Sequence, residues 1–408
     1  MFKGTEQKHR ALVISAMGIN QILAWGSSYY LPAVLAHPIA DSTGWSYAWV
    51  VAGVSFGLLV AGLVVVRLGR IIDQYGGRPV LVSSSILMAL GHLILAVAPN
   101  IQIYFLAWMA LGIGMGAGLY DATFSTLGRL YGTSARSAIT NLALWGGFAS
   151  TVCWPFSAFL VENLGWRGTC LVYAGLHLCL TLPLYLFVVP KEAKSKDEAA
   201  AAPQAVNASP IRPLSHPAFV FVLLSIILMI GGTVSVMWSF HLIGILQSRG
   251  LELAVAVGLG ALVGPAQVGS RVVERIAGNR YHPIWTLSAA VFLITTGLAL
   301  LWMGIPVPAL ALISYGAGNG IWSVARGTLP LALFGASGYA VLMGRLAMPS
   351  LIAQSMAPML GALLMEDFGG TGMLAVMTGM GLLNVCGVLG LWLATRSSHG
   401  DNPTYPRS

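Results

Sequence analysis

Three charged residues lie inside long apolar stretches of this chain. Asp121 occurs in GAGLYDATFSTLGRL, Arg326 in GNGIWSVARGTLPL, and Arg345 in the next apolar stretch. A charged group within an apolar span costs about 3 kcal/mol, so such groups normally face a cavity. Two arginines against one aspartate make that cavity positive, which favours a small organic anion. The alternatives are arginine side chains that reach the lipid headgroups and, for Asp121, a structural hydrogen bond.

Polar and aromatic residues that could line the same cavity recur at helical spacing. Asn319, Trp322, Ser323 and Arg326 stand at i, i+3, i+4 and i+7, which puts them on one face of a helix. In a wet cavity such side chains could bind a substrate, although each Trp or Tyr could equally belong to the interfacial belt or to helix packing. The other candidates of this kind are Gln21, Trp25, Tyr29, Asn141, Trp145 and Trp238.

Histidines and cysteines give weaker signals. His92, His177 and His241 lie in or near apolar stretches and are interpreted as mainly structural, with His241 the best candidate for a proton relay. The four cysteines lack CxxC spacing, so neither a disulfide framework nor a metal site is expected, and no cofactor or catalytic residue is predicted. They are Cys153, Cys170, Cys179 and Cys386.

The elements that would position these residues are membrane-spanning helices. The chain has 408 residues, 57% of them hydrophobic, and a mean hydropathy of +0.79. Its apolar runs are about 20 residues long, enough for a helix to cross a bilayer. The predicted spans are 11–36, 46–68, 79–98, 103–128, 137–161, 168–189, 217–243, 253–273, 284–303, 307–332, 339–364 and 371–395.

The basic residues predict the orientation of these spans. Six spans stand on each side of residues 190–216, a segment rich in Ala, Pro, Ser and charge that is typical of a flexible linker. With the N-terminus inside, 17 of the 21 lysines and arginines are cytoplasmic and only Arg167 and Arg249 are outside. The positive-inside rule therefore predicts that both termini are cytoplasmic. The same rule explains the net charge of +8 without a nucleic acid partner.

Two charged stretches, GRIIDQYGGRP and SRVVERIAGNR, lie half a chain apart. Arg70 and Asp73 recur as Arg271 and Glu274, 201 residues later, and Gly132 recurs as Gly335 after 203. Such steady offsets indicate two repeated units of six spans. A carboxylate at a cytoplasmic helix end can accept bonds from arginines, so these stretches are predicted to form a cytoplasmic gate. Its candidate residues are Gly69, Arg70, Asp73, Gly76, Arg78, Arg271, Glu274 and Arg275.

Across nearly its whole length the sequence resembles the major facilitator superfamily of transporters. Gly69, Asp73, Gly76 and Arg78 match the family motif between spans two and three, whereas Gln74 and Gly77 depart from it. The resemblance implies an all-α membrane protein with twelve transmembrane helices in two pseudo-symmetric bundles, residues 1–189 and 217–408. It also implies alternating access by rocking of the bundles. A bacterial inner-membrane, multi-pass location and a monomeric state are expected.

The sequence also carries features of one branch of that superfamily. The double tyrosine in span one and the GWS entry to span two resemble the bacterial monocarboxylate and oxalate–formate branch. That branch usually has an arginine within span eight at the position that Ala266 occupies here, with Gln267 beside it. Trp108 replaces an arginine that many proton-coupled members carry four residues before a glycine, here Gly112.

Secondary transport of a small organic anion such as a monocarboxylate is therefore the leading hypothesis. Its partners would be the substrate, the lipid bilayer and, as a candidate co-transported ion, a proton. The alternative is efflux of a drug or of a metalloid such as arsenite, for which Cys153 would matter. An enzyme is disfavoured because no HExxH, GxSxG or clustered His and Cys occurs, and no P-loop suggests an ATP-driven pump.

Overall fold

A computed structural model of the protein describes residues 2–191, 216–277 and 280–397, and the linker expected at 190–216 lies almost wholly outside them. Helices make up nearly all of the described chain. They are α1 (Phe2–Ser27), α2 (Pro32–Thr43), α3 (Tyr47–Tyr75), α4 (Gly77–Val97), α5 (Ile101–Gly118), α6 (Tyr120–Tyr131), α7 (Ala135–Gly146), α8 (Ala149–Leu176), α9 (Leu182–Phe187), α10 (Pro217–Gln247), α11 (Leu253–Gly260), α12 (Val263–Ala277), α13 (Pro283–Trp302), α14 (Pro308–Phe334) and α15 (Tyr339–Ser397).

Many of these helices are long and apolar. Among the described residues, eight helical stretches have the length and hydropathy needed to cross a membrane. They include α3, α4, α10 and α13, and the longest runs from Tyr339 to Thr395. The chain is thus a multi-pass, all-helical membrane protein.

Several predicted spans are interrupted, which the sequence analysis did not anticipate. The first helix ends at Ser27, and residues 28–31 form a turn before Pro32 opens α2. Proline suits the first position of a helix because an N–H at that position would have no acceptor within the helix. The predicted span 103–128 breaks at Leu119, whose ψ of −171° is extended. Discontinuous helices of this kind often mark the binding sites of transporters.

Two long helical stretches change direction at glycines. Gly165 in α8 and Gly369 in α15 have φ values of 68° and 66°, in the left-handed region that favours glycine. Both lie in gaps between predicted spans, 161–168 and 364–371. Gly132 and Gly335, which the sequence matches across the repeat, also have positive φ, 51° and 83°. The same backbone conformation thus recurs at corresponding places in each half of the chain.

The two halves pack closely through α3 and α15. A Cβ atom on Gly69 of α3 would overlap the backbone carbonyl of Ala340, and one on Gly344 of α15 would lie 2.8 Å from the carbonyl oxygen of Val65. Because glycine has no side chain, these backbones approach one another directly. The contact closes one end of the protein, the end at which α3 finishes and α15 begins.

We expect the turn at Gly369 to depend on glycine. Gly369→Ala places a Cβ in a left-handed conformation and should lower the free energy of unfolding by about 1–2 kcal/mol. The matched control is Gly379→Ala in the same helix, where φ is ordinary and the added Cβ meets nothing within 4 Å. That change should raise stability by up to about 1 kcal/mol. Melting temperatures of the purified variants test this, and equal values would contradict the assigned turn.

Candidate functional site

An ion pair joins the first half of the chain to the second half. Arg326 of α14 donates from Nη2 to Oδ1 of Asp121 in α6. The side chains are only 20% and 10% exposed, so water screens the pair weakly. The sequence places both residues at similar depth in corresponding helices of the two halves, which predicts that they can meet, and the structure shows that contact.

The break at Leu119 places Asp121 in the first turn of α6, where unpaired backbone N–H groups favour a carboxylate. Gln21 of α1 covers the carbonyl that the break exposes. Its Nε2 donates to the oxygen of Gly118 at 2.5 Å and to the hydroxyl of Thr123 at 2.8 Å. Its Oε1 accepts from Nε1 of Trp25 at 3.1 Å. Gln21 therefore supports the broken helix, and its amide is already occupied.

A narrow cleft with a cavity of about 20 Å³ lies beside the ion pair. Two sequence candidates besides the charged pair line it, Trp25 and Tyr29, whereas Gln354 of α15 was missed. A lone amide within an apolar run was the available signal for Gln354. The lining residues are Trp25, Tyr29, Leu58, Ala61, Met115, Gly116, Leu119, Asp121, Arg326, Leu351 and Gln354.

Aromatic rings pack around one wall of this cleft. The ring of Trp25 lies 5.2 Å from that of Tyr29 and 5.1 Å from that of Tyr120, and Tyr120 stacks on Phe124 at 4.8 Å. Tyr30 adds an edge-on contact to Tyr29 at 5.3 Å. These rings provide an apolar surface with hydroxyl groups at its edge, which suits a small amphipathic ligand.

Arg271 lies in a different place from the one its sequence position suggested. It was predicted at the cytoplasmic gate, yet it is buried within α12, with 4% of its surface exposed. Its Nε donates to the carbonyl of Gly320 at 3.0 Å and to the hydroxyl of Ser323 at 3.1 Å, both on α14. Its Nη1 has no hydrogen-bond partner among the described residues and faces Gly147, whose missing side chain leaves room for it. The predicted eighth span thus contains a buried arginine, five residues after Ala266.

Arg345 is the one member of the charged trio that the structure keeps away from the cleft. It lies on the exposed face of α15 and is absent from the cavity lining. The alternative interpretation, a long side chain directed toward the headgroups, fits this position.

Other candidates contribute packing around the site. Trp238 stacks on Tyr315 with ring centroids 3.9 Å apart. Trp322 packs against Gly231 of α10, and Trp145 packs against Gly18 of α1. These aromatic residues hold helices together in this conformation.

The amide candidates on α7 and α14 are half-buried. Asn319 accepts a hydrogen bond from Ser235 at 3.3 Å, which ties α14 to α10. Asn141 lies beside the packed face of α7. Neither residue is among those that line the cleft.

The predicted gate residues of the first motif gather where α3 meets α4. Gly69 is buried under α15, and Gly76 ends α3 with a φ of 85°. Arg129 donates to the backbone carbonyl of Asp73. Arg70 is exposed and Arg78 is half-buried, so this end of the helix is rich in positive charge.

In the second copy of the motif, one residue joins two helices and another is exposed. Glu274 accepts a hydrogen bond from Thr286 at 2.9 Å, which connects α12 to α13, and Arg275 is exposed. With Arg271 buried, the two copies occupy different environments despite their sequence likeness.

Comparisons with known proteins agree with this architecture. The family model described as Major Facilitator Superfamily matches residues 17–348. Monocarboxylate transporter 6 of Homo sapiens is 33% identical over 114 residues, 27% of this chain and 22% of that protein. Monocarboxylate transporter 2 of Mus musculus is 28% identical over 186 residues, 42% of this chain and 37% of that protein. The chain thus matches less than half the length of these curated relatives.

Solved structures show the same fold. The proton:xylose symporter XylE, bound to 6-bromo-6-deoxy-D-glucose, superposes with a TM-score of 0.75. The superposition covers 95% of this chain and 96% of that one, at 13% sequence identity. At this identity the likeness shows the fold alone.

The ion pair can be tested by a double-mutant cycle. Asp121→Asn leaves the Arg326 guanidinium buried without a carboxylate and should lower the free energy of unfolding by about 3 kcal/mol. The double variant Asp121→Asn, Arg326→Gln removes both charges and should recover most of that loss. Thermal unfolding of the wild type, the two single variants Asp121→Asn and Arg326→Gln, and the double variant measures the coupling. If the double variant loses the sum of the two single losses, the residues do not interact.

Proposed function

Because the chain belongs to the Major Facilitator Superfamily, we propose that it transports a small organic anion, a monocarboxylate, across the membrane by alternating access. The observation that carries this proposal is the buried guanidinium of Arg271. The proposal adds Arg271, which the sequence had assigned to the gate and which lies against α14 next to the cleft rather than among the residues that line it.

Arg271 has donors left for a ligand. Its Nε is engaged by α14, while Nη1 is buried without a partner among the described residues. Burying a charged donor without a partner is costly, and a carboxylate is the anion whose planar geometry matches a guanidinium. A carboxylate oxygen at Nη1 would therefore be strongly favoured.

The charge balance points the same way. Asp121 neutralises Arg326, so the second buried arginine leaves one positive charge near the cleft. The charges of Arg271 and Arg326 both act on Tyr120, which packs on Trp25 in the cleft wall. Ser323, the partner of Arg271, is one turn before Arg326 on α14. A substrate with a single negative charge would neutralise this region.

The relatives are consistent with that substrate class. Both curated proteins named above are monocarboxylate transporters, although each matches this chain only in part. Their names support a monocarboxylate over other organic anions as the substrate of this chain.

The architecture proposed for transport follows the repeat. We assign residues 1–189 and 217–408 to two bundles of six spans joined by 190–216, with both termini cytoplasmic in a bacterial inner membrane. The breaks at Gly165 and Gly369 support twelve spans, because each divides a long helical stretch where the sequence predicts a turn. The distribution of basic residues supports the orientation.

In this arrangement α3 and α15 close the cytoplasmic side. Leu58 and Leu351 line the cleft, and the same two helices continue into the close approach of Gly69 to Ala340. Parting of α3 from α15 would open the cleft to that side, which is the motion that alternating access requires.

The alternative function, efflux of a drug or metalloid, gains no support at Cys153. That thiol is buried against Gly26 of α1 and donates to the carbonyl of Ile22 at 3.5 Å. Among the described residues no group of three His, Cys, Asp or Glu side chains could hold a metal ion. Cys153 therefore contributes to helix packing.

We predict that Arg271→Gln weakens monocarboxylate binding by roughly tenfold or more, because it removes a charged hydrogen-bond donor. Arg271→Lys should restore little, since lysine lacks the planar fork of arginine. Equilibrium binding of radiolabelled lactate and pyruvate to purified protein measures the effect, and lactamide serves as the neutral comparison.

The matched control is Arg345→Gln, which removes an exposed arginine and should leave binding unchanged. Wild-type affinity for lactate and pyruvate in Arg271→Gln would rule out Arg271 as the anion site. Equal binding of lactamide and lactate by the wild type would argue against a charged substrate.

A further inference from the structure

The first transmembrane helix exposes a backbone carbonyl where it breaks. In a continuous helix the N–H of Leu31 would bond to the carbonyl of Ser27, but here it donates to Ser28 at 3.2 Å. The N–H of Tyr30 reaches back to Trp25 at 3.0 Å. The carbonyl of Ser27 is therefore left without its helical donor, in a region where water cannot replace it.

His92 of α4 supplies a donor for this carbonyl. The imidazole is fully buried, and its Nε2 lies 2.8 Å from the oxygen of Ser27. Its Nδ1 lies 2.7 Å from the oxygen of Met88, one turn earlier on the same helix. Both ring nitrogens thus face backbone carbonyls.

These partners favour a doubly protonated ring. A carbonyl oxygen only accepts hydrogen bonds, and a neutral imidazole has a single N–H. A neutral ring would turn a nitrogen lone pair toward one of the two carbonyls, which is repulsive. Both bonds exist only when His92 carries two protons.

The neighbouring histidine differs in this respect. His177 has hydroxyl partners, the Oγ of Ser27 at 2.8 Å and the Oγ1 of Thr181 at 3.2 Å. A hydroxyl can donate or accept, so a neutral ring satisfies both contacts. Ionisable groups beside the ring of His92 are His177 and Tyr173. The ring centroid of His177 is 5.6 Å away and that of Tyr173, on α8, is 5.7 Å away.

Two further neighbouring residues carry no ionisable side chain. Helix α5 contributes Leu111 beside Gly91, and α1 contributes Ser27. No carboxylate occurs among the neighbours named here, so the two carbonyls supply the stabilisation of the charged ring. The bound proton and the helix break consequently depend on each other.

We propose that His92 binds the coupling proton of the transport cycle and that this proton holds the break in the first span. The break directs Trp25 and Tyr29 into the cleft, so loss of the proton releases the Ser27 carbonyl and changes the cavity wall. Acidification favours the arrangement seen here, and alkalinisation favours one in which the carbonyl has another donor. This proposal rests on the proposed transport function and adds its co-transported ion.

The variant His92→Gln tests the proposal. Glutamine can donate to the same carbonyl but cannot titrate. In proteoliposomes, lactate counterflow needs no net proton movement and should continue, whereas accumulation of lactate driven by a pH gradient should fall to the level of protein-free vesicles. Undiminished gradient-driven accumulation in His92→Gln would overturn the proposal.

His241→Gln is the matched control. Nε2 of His241 contacts one carbonyl, that of Pro358 at 3.0 Å, which a neutral ring satisfies. Gradient-driven accumulation should therefore persist in this variant. Its loss together with that of His92→Gln would show that histidine replacement in general is harmful, and would count against the specific role of His92.

A second measurement is independent of the substrate. Nitrogen NMR of histidine-labelled wild-type protein, with the His92 signals assigned from the variant, should show both ring nitrogens protonated in mildly acidic buffer. Loss of one proton on alkalinisation is expected. A neutral ring at every pH at which the protein is folded would overturn the proton site. Absence of lactate transport, with His92 still titrating, would instead refute the proposed substrate.

Discussion

The fold depends on one constraint, that backbone polar groups inside a bilayer need partners from the protein itself. At two interrupted spans, a side chain from a distant part of the sequence covers the exposed carbonyl. Gln21 does so for Gly118, and His92 does so for Ser27. Arg271 donates in the same way to Gly320 of the uninterrupted α14. The buried polar residues of this chain therefore serve the backbone first, and a ligand can use only the donors that remain.

Few donors do remain, and this makes the site selective. The Gln21 amide and the Asn319 carbonyl oxygen are engaged within the protein, and Arg326 is held by Asp121. Among the described residues, Nη1 of Arg271 has no hydrogen-bond partner and is a strong donor, because it is charged and buried. A neutral ligand would leave that charge unbalanced, whereas a carboxylate would satisfy both its hydrogen bond and its charge. The proposed anion preference rests on the donor that the described part of the protein leaves unsatisfied.

Sequence reasoning reached the all-helical membrane fold and the ion pair, since long apolar runs and charges within them are signals along the chain. It assigned Arg271 to the gate because the residue occurs near the end of an apolar run and within a copy of the gate motif, whereas the structure buries the side chain against α14. It missed the break at Leu119 because the amide that covers it, Gln21, is 97 residues away. The significance of His92 was also hidden, since its carbonyl partners meet only in the folded chain. Local pattern predicts helices, while the partners of broken helices are set by tertiary packing.

The ion pair offers a physical link between binding and movement of the halves. Asp121 belongs to the first half and Arg326 to the second, so their contact holds α6 against α14 at the level of the cleft. A substrate carboxylate near Arg271 would be one turn of α14 away from Arg326 and would compete with Asp121 for its guanidinium. Without the anion, breaking the pair is costly because it leaves both charges buried and unpaired. When the anion is present it can pair with Arg326, so the attraction between the halves is weakened. In the proposed transport cycle, the interaction that holds the empty protein together is the one that the substrate replaces, and separation of the halves becomes favourable when substrate is bound.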